Sequence, residues 1–295
     1  MVTDAPFIPP DPADAHRPRQ PLLQRIDRYL LPMFTLFAIG YLLIPIAVMI
    51  VFSFNKPEGK FNYAWNEFSL QGWLHPFDWP GLPEAVGTSL VIAVLSTVFA
   101  TILGTLIGLA LTRYRFRGRG TLNGLIFLPM ATPEIVMGAS LLTLFVATAL
   151  PPLAGGVPLL YPTGFQTILI AHIMFNISFV VVTVKARVQG FDRRLEEAAM
   201  DLGANELTTF WKVTFPLILP GIMAAALLSF SLSIDDFVVT NFVSGTTNTF
   251  PIWVYSIQRN ALPVQINVVG SMVFLGAVGL VLLSSIRSGG IPRLR

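Results

Sequence analysis

KARVQGFDRRLEEAAMDLGANELTTFWKVTFP, residues 185–216, is a polar stretch between two long apolar runs. It is longer than a usual connection between packed helices, which takes about 2–8 residues. Asp192 can cap a helix that begins just after it, and Glu196 and Glu197 then lie near the positive N-terminus of that helix. Gly203 is typical of the residue that ends a helix. The stretch therefore predicts a short helix, a sharp turn and a second short helix.

Both of these predicted helices carry apolar residues on one side. The first has Leu195, Ala198, Ala199 and Leu202 at helical spacing, and the second, capped by Asn205, has Leu207, Phe210 and Trp211. Such a face fits two interpretations equally well. The helices either form a small apolar knob that projects from the membrane, or they lie flat on the membrane surface.

The apolar runs on either side of this stretch are long enough to cross a bilayer, which takes ~20 apolar residues per helix. Six runs qualify, at about 30–54, 85–112, 122–150, 163–184, 214–243 and 264–286. In the whole chain 54% of residues are hydrophobic and 12% are charged, about half the charged fraction of a soluble domain. The sequence predicts an all-α, polytopic membrane protein with six transmembrane helices, and it excludes a soluble enzyme.

Lysine and arginine are distributed unevenly between the two sides of these runs. Sixteen of the nineteen lie in four segments, residues 1–29, 113–121, 185–213 and 287–295. The other three, Lys56, Lys60 and Arg259, lie in the alternate loops. Because basic loops stay on the cytoplasmic side of a membrane, both termini and the polar stretch are expected in the cytoplasm.

The N-terminal residues differ from the rest of the chain. Residues 1–24 hold six prolines, which predicts a disordered cytoplasmic tail without a chemical role. The membrane domain is expected over residues 25–295.

Composition also excludes several kinds of site. The chain has no cysteine, so it can form no disulfide, zinc–thiolate site or iron–sulfur cluster. Its three histidines are too scattered for a zinc-binding helix, and no metal site is predicted. The net charge of +3 is too small to suggest a nucleic-acid partner.

Three acidic residues fall inside predicted spans: Glu134, Asp235 and Asp236. No lysine or arginine lies at that depth to neutralise them. A charged side chain at the centre of a membrane helix costs ~2.5–3.5 kcal/mol on insertion scales. These acids should therefore face water, one another or a cation, or else bond neighbouring helices and hold the bundle together. For Glu134, the second alternative includes a helix that is broken after Pro133.

Polar side chains form a stripe in the fifth run. They are Ser229, Ser233, Asp236 and Thr240, at spacings of four, three and four. On a continuous helix they share one face, and Asp235 lies ~100° away around the axis. We therefore expect Asp236 to face a polar path in the outer part of the membrane, and Asp235 to bond a neighbouring helix.

The fourth run has a similar stripe of His172, Asn176 and Thr183. Polar side chains inside membranes often bond one helix to another, at ~0.6 kcal/mol each. We interpret these three as packing contacts, with a pathway role for His172 as the alternative.

The polar stretch also carries a recognisable spacing of residues. Its elements are Glu197-Ala198-Ala199, Gly203 after three intervening residues, and Val213-x-Phe215-Pro216 after nine more. This pattern resembles the E-A-A-x-x-x-G-x9-I-x-L-P loop of permeases in binding-protein-dependent ABC transporters, with two apolar replacements. The resemblance covers roughly residues 80–290 and implies the fold of a type I ABC importer permease. It also implies that residues of about 188–212, the coupling segment, dock on an ATP-binding subunit. The implied coupling residues are Glu197, Ala198, Ala199, Gly203 and Pro216.

Three further runs point to a subfamily. SLSIDDFVVTNFVSG (231–245), PEIVMG (133–138) and PIWVYS (251–256) resemble the second permease subunit of spermidine/putrescine importers. These substrates are small polycations, so acids along the path suit them, whereas an anion importer would need basic groups there. The expected pathway residues are Asp236, Asp235, Glu134, Ser233 and Thr240. The alternative is a permease of the same family for another small solute or cation.

The same resemblance implies the partners of the chain in the plasma membrane. They are a second homologous permease subunit, two ATP-binding subunits and an extracytoplasmic substrate-binding protein. The chain contains no G-x-x-x-x-G-K-[ST] phosphate loop, so ATP and magnesium are expected on the separate ATPase and no cofactor on this chain. An ion-coupled carrier would leave the E-A-A loop unexplained, and the two halves show no repeat. An intramembrane enzyme ranks last, since neither paired histidine ligands nor a nucleophile–base pair is found.

Overall fold

The computed structural model describes residues 22–149 and 162–287, and these are largely helical. The helices are α1 (Leu22–Phe52), α2 (Gln71–Leu74), α3 (Leu82–Arg113), α4 (Arg119–Ala131), α5 (Glu134–Ala149), α6 (Phe165–Gln189), α7 (Arg194–Asp201), α8 (Glu206–Thr209), α9 (Phe215–Ile234), α10 (Val238–Val243), α11 (Phe250–Ile257) and α12 (Val264–Arg287). A π turn, Phe210–Thr214, joins α8 to α9. The predicted tail lies outside the described residues, except that 22–24 belong to α1.

Helices occupy all six predicted spans. Four helical stretches are long and apolar enough to cross a membrane: Leu30–Phe52, Leu82–Arg113, Phe165–Gln189 and Glu206–Ile234. The pair α4 and α5 passes the same test together. The last helix, α12, contains the apolar stretch Val264–Gly279. The all-α membrane fold is confirmed.

The third predicted span, 122–150, is not one continuous helix. Its two halves, α4 and α5, meet at an angle of 109°. Pro133 disfavours the helical conformation at the residue before it, and Thr132 has an extended backbone with φ −79° and ψ 130°. The broken helix considered as an alternative for Glu134 is therefore present.

The fifth predicted span, 214–243, is also interrupted, and the prediction of a continuous helix there is wrong. The helix α9 ends at Ile234, and α10 begins again at Val238. Asp236 stabilises the restart, because its Oδ2 atom accepts hydrogen bonds from the backbone N–H and the hydroxyl of Thr240 at 2.8 and 2.6 Å. Carboxylates that bond nearby backbone N–H groups compete with a continuous helix in this way.

The chain divides into two compact units. Among the described residues, the first comprises 22–58, 64–74 and 264–287, and the second comprises 59–63, 75–149 and 162–263. In the first unit α1 packs against α12. In the second, α3, α6 and α9 pack together and α10 packs on α5. Small residues permit this contact, as Gly104 illustrates: a Cβ there would lie 2.6 Å from the side chain of Val180.

Candidate functional site

A cavity of about 360 Å³ lies at the two helix breaks of the second unit. Its walls are Pro129, Met130, Ala131, Thr132, Pro133, Glu134, Met137, Phe175, Phe179, Leu232, Asp236 and Val239. The walls are mainly apolar, they include two carboxylates, and they contain no lysine or arginine. The cavity thus brings together Glu134 and Asp236, which are 102 residues apart in the chain.

Both carboxylates of the cavity lie at the start of a half-helix. Glu134 is the first residue of α5, and Asp236 bonds the backbone N–H of Thr240 in the first turn of α10. A helix N-terminus carries a partial positive charge of roughly half a unit. The start of each half-helix therefore favours the negative charge of the acid beside it.

Asp236 belongs to a buried hydrogen-bond network that is centred on His172. Only 8% of the Asp236 side chain and 2% of the His172 side chain are exposed, and His172 Nε2 lies 3.4 Å from Asp236 Oδ2. His172 Nε2 is also 2.9 Å from Thr240 Oγ1, and Nδ1 is 2.7 Å from Ser233 Oγ. Ser233 Oγ is in turn 2.9 Å from Ser96 Oγ. The network joins α3, α6, α9 and α10.

The hydroxyl of Thr240 donates to Asp236, so its oxygen accepts from Nε2 of His172, and Nε2 carries a proton. On the other side of the ring, Nδ1 hydrogen-bonds to the hydroxyl of Ser233, which in turn hydrogen-bonds to the hydroxyl of Ser96. Ser96 also donates to the backbone carbonyl of Ala93 at 3.2 Å. Every hydroxyl of the network therefore has a hydrogen-bond partner, as buried polar groups require.

The predicted polar stripe is assembled differently from what its spacing suggested. Ser233, Asp236 and Thr240 do lie together, but His172 and the helix break gather them rather than one helix face. His172, interpreted as a packing contact, is the centre of the network. Ser229 is fully buried, and its hydroxyl has no hydrogen-bond partner among the described residues.

The two aspartates differ in burial and in their contacts. Asp236 bonds the neighbouring helix α6 through His172, whereas Asp235 is exposed at the break. Glu134 is exposed as well. Asp236 nevertheless lines the cavity, as does Glu134, while Asp235 is not among the lining residues.

The coupling segment folds as the two predicted short helices. Asp192 Oδ1 accepts a hydrogen bond from the backbone N–H of Arg194, and Asn205 Oδ1 accepts one from that of Thr208. Gly203 has φ +89°, a left-handed conformation that favours glycine. The first helix begins at Arg194, one residue later than predicted.

The outer face of the coupling segment is exposed and partly apolar. Glu197 and Ala198 are exposed, while Ala199 is half-buried. Leu202 is 90% exposed, and Leu195, Met200, Leu207 and Trp211 are exposed as well. An apolar face of this kind is typical of a surface that a partner covers.

The inner side of the same segment carries an ion pair that the sequence did not reveal. Both guanidinium Nη atoms of Arg113 donate to the carboxylate of Glu196, with Nη2 to Oε1 at 2.6 Å. Burial alone would raise the pKa of Glu196. This effect is outweighed by the hydrogen bonds from Arg113 and Thr214 and by the positive charges of Arg113 and Arg193, which hold the pKa of Glu196 below its usual range. Glu196 is thus held in its ionised form.

Interrupted apolar helices with an acidic cavity between them, and an exposed helix pair with an apolar face elsewhere in the chain, fit an integral membrane permease. The sequence matches the family described as binding-protein-dependent transport system inner membrane component over residues 100–289. The chain belongs to this family of ABC-transporter permeases, whose members are transport subunits rather than enzymes. The carrier and enzyme alternatives are therefore wrong.

Individual relatives cover most of the chain. It is 38% identical over 255 residues to the spermidine/putrescine transport system permease protein PotC of Haemophilus influenzae, which covers 86% of this chain and 93% of that protein. It is 37% identical over 248 residues to the putrescine transport system permease protein PotI of Escherichia coli, with 83% and 85% covered.

A solved structure has the same fold. The crystal structure of a bacterial ABC transporter involved in the import of the acidic polysaccharide alginate contains a chain that matches with a TM-score of 0.66. The match covers 92% of this chain and 99% of that one at 17% identity. At this identity the likeness concerns the fold alone.

Proposed function

We propose that this chain is a permease subunit of an ATP-driven importer that moves polyamines such as putrescine and spermidine into the cytoplasm. The observation that carries the proposal is the cavity at the two helix breaks, whose walls hold two carboxylates and no basic side chain. The names of the relatives, which are spermidine and putrescine permeases, agree with it.

The chemistry of the cavity suits a flexible dication. Two opposite unit charges 4 Å apart attract by about 4 kcal/mol at an effective dielectric constant near 20. The apolar walls, among them Met137 and Leu232, can pack against the methylene groups between two ammonium groups. The rings of Phe175 and Phe179 line the cavity too, and aromatic faces attract ammonium groups.

The two carboxylates would have different roles along the path. Glu134 is exposed and free to move toward an ammonium group. Asp236 is held in place by His172 and Thr240, so it would supply a fixed negative charge. Asp235 lies within electrostatic range of both and would attract the cation at the break. Ser233 and Thr240 would act by holding His172 and Asp236.

The coupling segment would receive the motion of an ATP-binding subunit. Glu197 and Ala198 lie on its exposed face with Ala199 beside them, Gly203 makes the turn, and Pro216 lies in the first turn of α9. The complete importer would contain a second homologous permease subunit, two ATP-binding subunits and an extracytoplasmic binding protein. ATP and magnesium would be bound by the ATP-binding subunits, with no cofactor on this chain, and both termini would face the cytoplasm. Residues 25–295 would form the permease domain.

Uptake by the reconstituted complex tests the substrate. Proteoliposomes that contain the permease pair, the ATP-binding subunits and the binding protein are given labelled putrescine, with and without ATP inside. We expect ATP-dependent uptake that unlabelled spermidine inhibits and a neutral sugar or an anionic sugar acid does not. ATP-dependent uptake of the sugar or the sugar acid, without uptake of putrescine, would contradict the proposal.

A further inference from the structure

The ion pair beneath the coupling segment joins elements that are far apart in sequence. Arg113 is the last residue of α3, and Glu196 lies in the first turn of α7, 83 residues later. The side chains are 20% and 13% exposed. A two-point contact between a guanidinium and a carboxylate fixes orientation as well as distance, and limited exposure reduces its screening by salt.

Further contacts surround the same pair. The hydroxyl of Thr214, at the end of the π turn that leads into α9, donates to Glu196 Oε1. Arg193 Nη2 donates to the backbone carbonyl of Thr112 at 3.1 Å. The guanidinium of Arg113 lies 5.7 Å from the centre of the Phe191 ring. The carboxylate of Glu196 therefore contacts α3 and the start of α9 at the same time.

We propose that Arg113 and Glu196 are positioning residues that tie the coupling segment to α3 as well as to α9. The proposal rests on the proposed coupling function of this segment. A displacement of α7 by an ATP-binding subunit then moves two spans together, whereas chain continuity alone would pass it only through the turns on either side.

Two neighbouring glutamates of α7 point in different directions. Glu197 lies ~100° around the helix axis from Glu196 and is exposed for a partner. Glu196 points inward, toward Arg113 and Thr214. The outer carboxylate would serve docking, and the inner one would serve transmission.

Substitution of Arg113 tests the tie against a matched control. Arg113→Ala and Glu196→Gln should leave the ATP-binding subunits bound after purification. Both variants should lower the amount of substrate moved per ATP hydrolysed at least about fivefold, which is the lower end of the effects that one protein site has on another through allosteric coupling. Arg117→Ala removes an exposed arginine from the neighbouring connection with the same loss of positive charge, and it should behave like the wild type. If Arg113→Ala does not accumulate, Arg113→Lys keeps the charge but loses the two-point contact, and it should show the same defect.

A distance measurement gives a readout that does not depend on the substrate. The chain has no cysteine, so spin labels can be attached at Leu106→Cys on α3 and Arg194→Cys on α7, both exposed positions. The distance between the labels should stay constant when ATP is added to the assembled complex, and in Glu196→Gln it should change.

The possible outcomes separate the two proposals. Loss of the ATP-binding subunits from Glu196→Gln would place Glu196 in the docking surface and overturn the tie. Unchanged substrate moved per ATP in both variants, or a label distance that changes in the wild type, would also overturn it. Failure of the wild-type complex to transport putrescine would contradict the polyamine proposal, while a constant label distance would still support the tie.

Discussion

Glu196 and Asp236 are both largely buried carboxylates, and their two regions of the molecule treat the negative charge differently. Glu196, in the coupling segment, is paired with the permanent cation Arg113. Asp236, at the break in the fifth span, is held by Thr240 and His172, with no lysine or arginine in the cavity that it lines. A carboxylate that is paired with arginine has its charge balanced by a permanent cation. One that is held by hydroxyl, N–H and imidazole groups has no such partner, so its charge can still attract a cation. In the proposals made above, the first is a mechanical site and the second is a recognition site.

A permanent cation placed in the cavity should have the largest effect. Leu232 lines the cavity together with Asp236, so Leu232→Lys would give that carboxylate the kind of partner that Glu196 already has. We expect uptake of labelled putrescine to fall at least about tenfold, which corresponds to only about 1.4 kcal/mol. Leu232→Met is the control, because swaps that conserve volume are well tolerated. Full activity of the lysine variant would mean that the two carboxylates do not differ as described.

Removal of His172, the centre of the hydrogen-bond network, should have the next largest effect, which is a loss of thermal stability. His172→Ala removes one hydrogen-bond partner from each of Ser233, Thr240 and Asp236. A buried polar group that is left unsatisfied lowers the stability by about 1–3 kcal/mol. One turn away, Asn176 is fully buried, and its amide has no hydrogen-bond partner among the described residues. Asn176→Leu should therefore be neutral or stabilising.

Thermal unfolding of the two variants in detergent measures this contrast. We expect the midpoint of His172→Ala to fall and that of Asn176→Leu to stay or rise. A lower midpoint for Asn176→Leu than for His172→Ala would show that the network is not what holds the broken span.

The smallest expected effect is the pH dependence of the stability that Glu196 contributes in the coupling segment. Because the pKa of Glu196 in the folded protein is held below its ordinary value of 4.5, its contribution to stability is complete above that value. The contribution is lost as the pH falls through the lower pKa of the folded state. The difference in thermal midpoint between the wild type and Glu196→Gln should be constant near neutral pH and shrink below about pH 4.5. A difference that grows on acidification would contradict the ion pair.

The two regions also differ in how much of them the sequence predicted. The coupling segment was predicted almost to the residue, because its signals are local: the caps at Asp192 and Asn205 and the turn at Gly203 act within a few positions. The positions of the spans were predicted too, since apolar composition alone decides them.

The contacts between elements were not predicted. Spacing placed Asp236 on a continuous helix, but the competition between its carboxylate and the backbone ends that helix at Ile234. His172 and Arg113 find their partners across the bundle, 61 and 83 residues away, and such pairs depend on packing that periodicity does not encode. Pro133 was the one visible sign of a break.

Putrescine uptake by Asp236→Asn and Asp235→Asn tests the central claim most directly, that a fixed charge in the cavity recognises the substrate. Asparagine keeps the shape of the side chain and an oxygen that can accept from Thr240, but it removes the charge. At limiting putrescine, and with assembly of the complex intact, we predict that uptake falls at least about tenfold in Asp236→Asn, since bonds to charged groups are worth about 1.5–3 kcal/mol. We predict a smaller loss of uptake for Asp235→Asn, because the side chain of Asp235 does not line the cavity. Equal uptake by Asp236→Asn and the wild type would show that the charge of Asp236 plays no part in recognition.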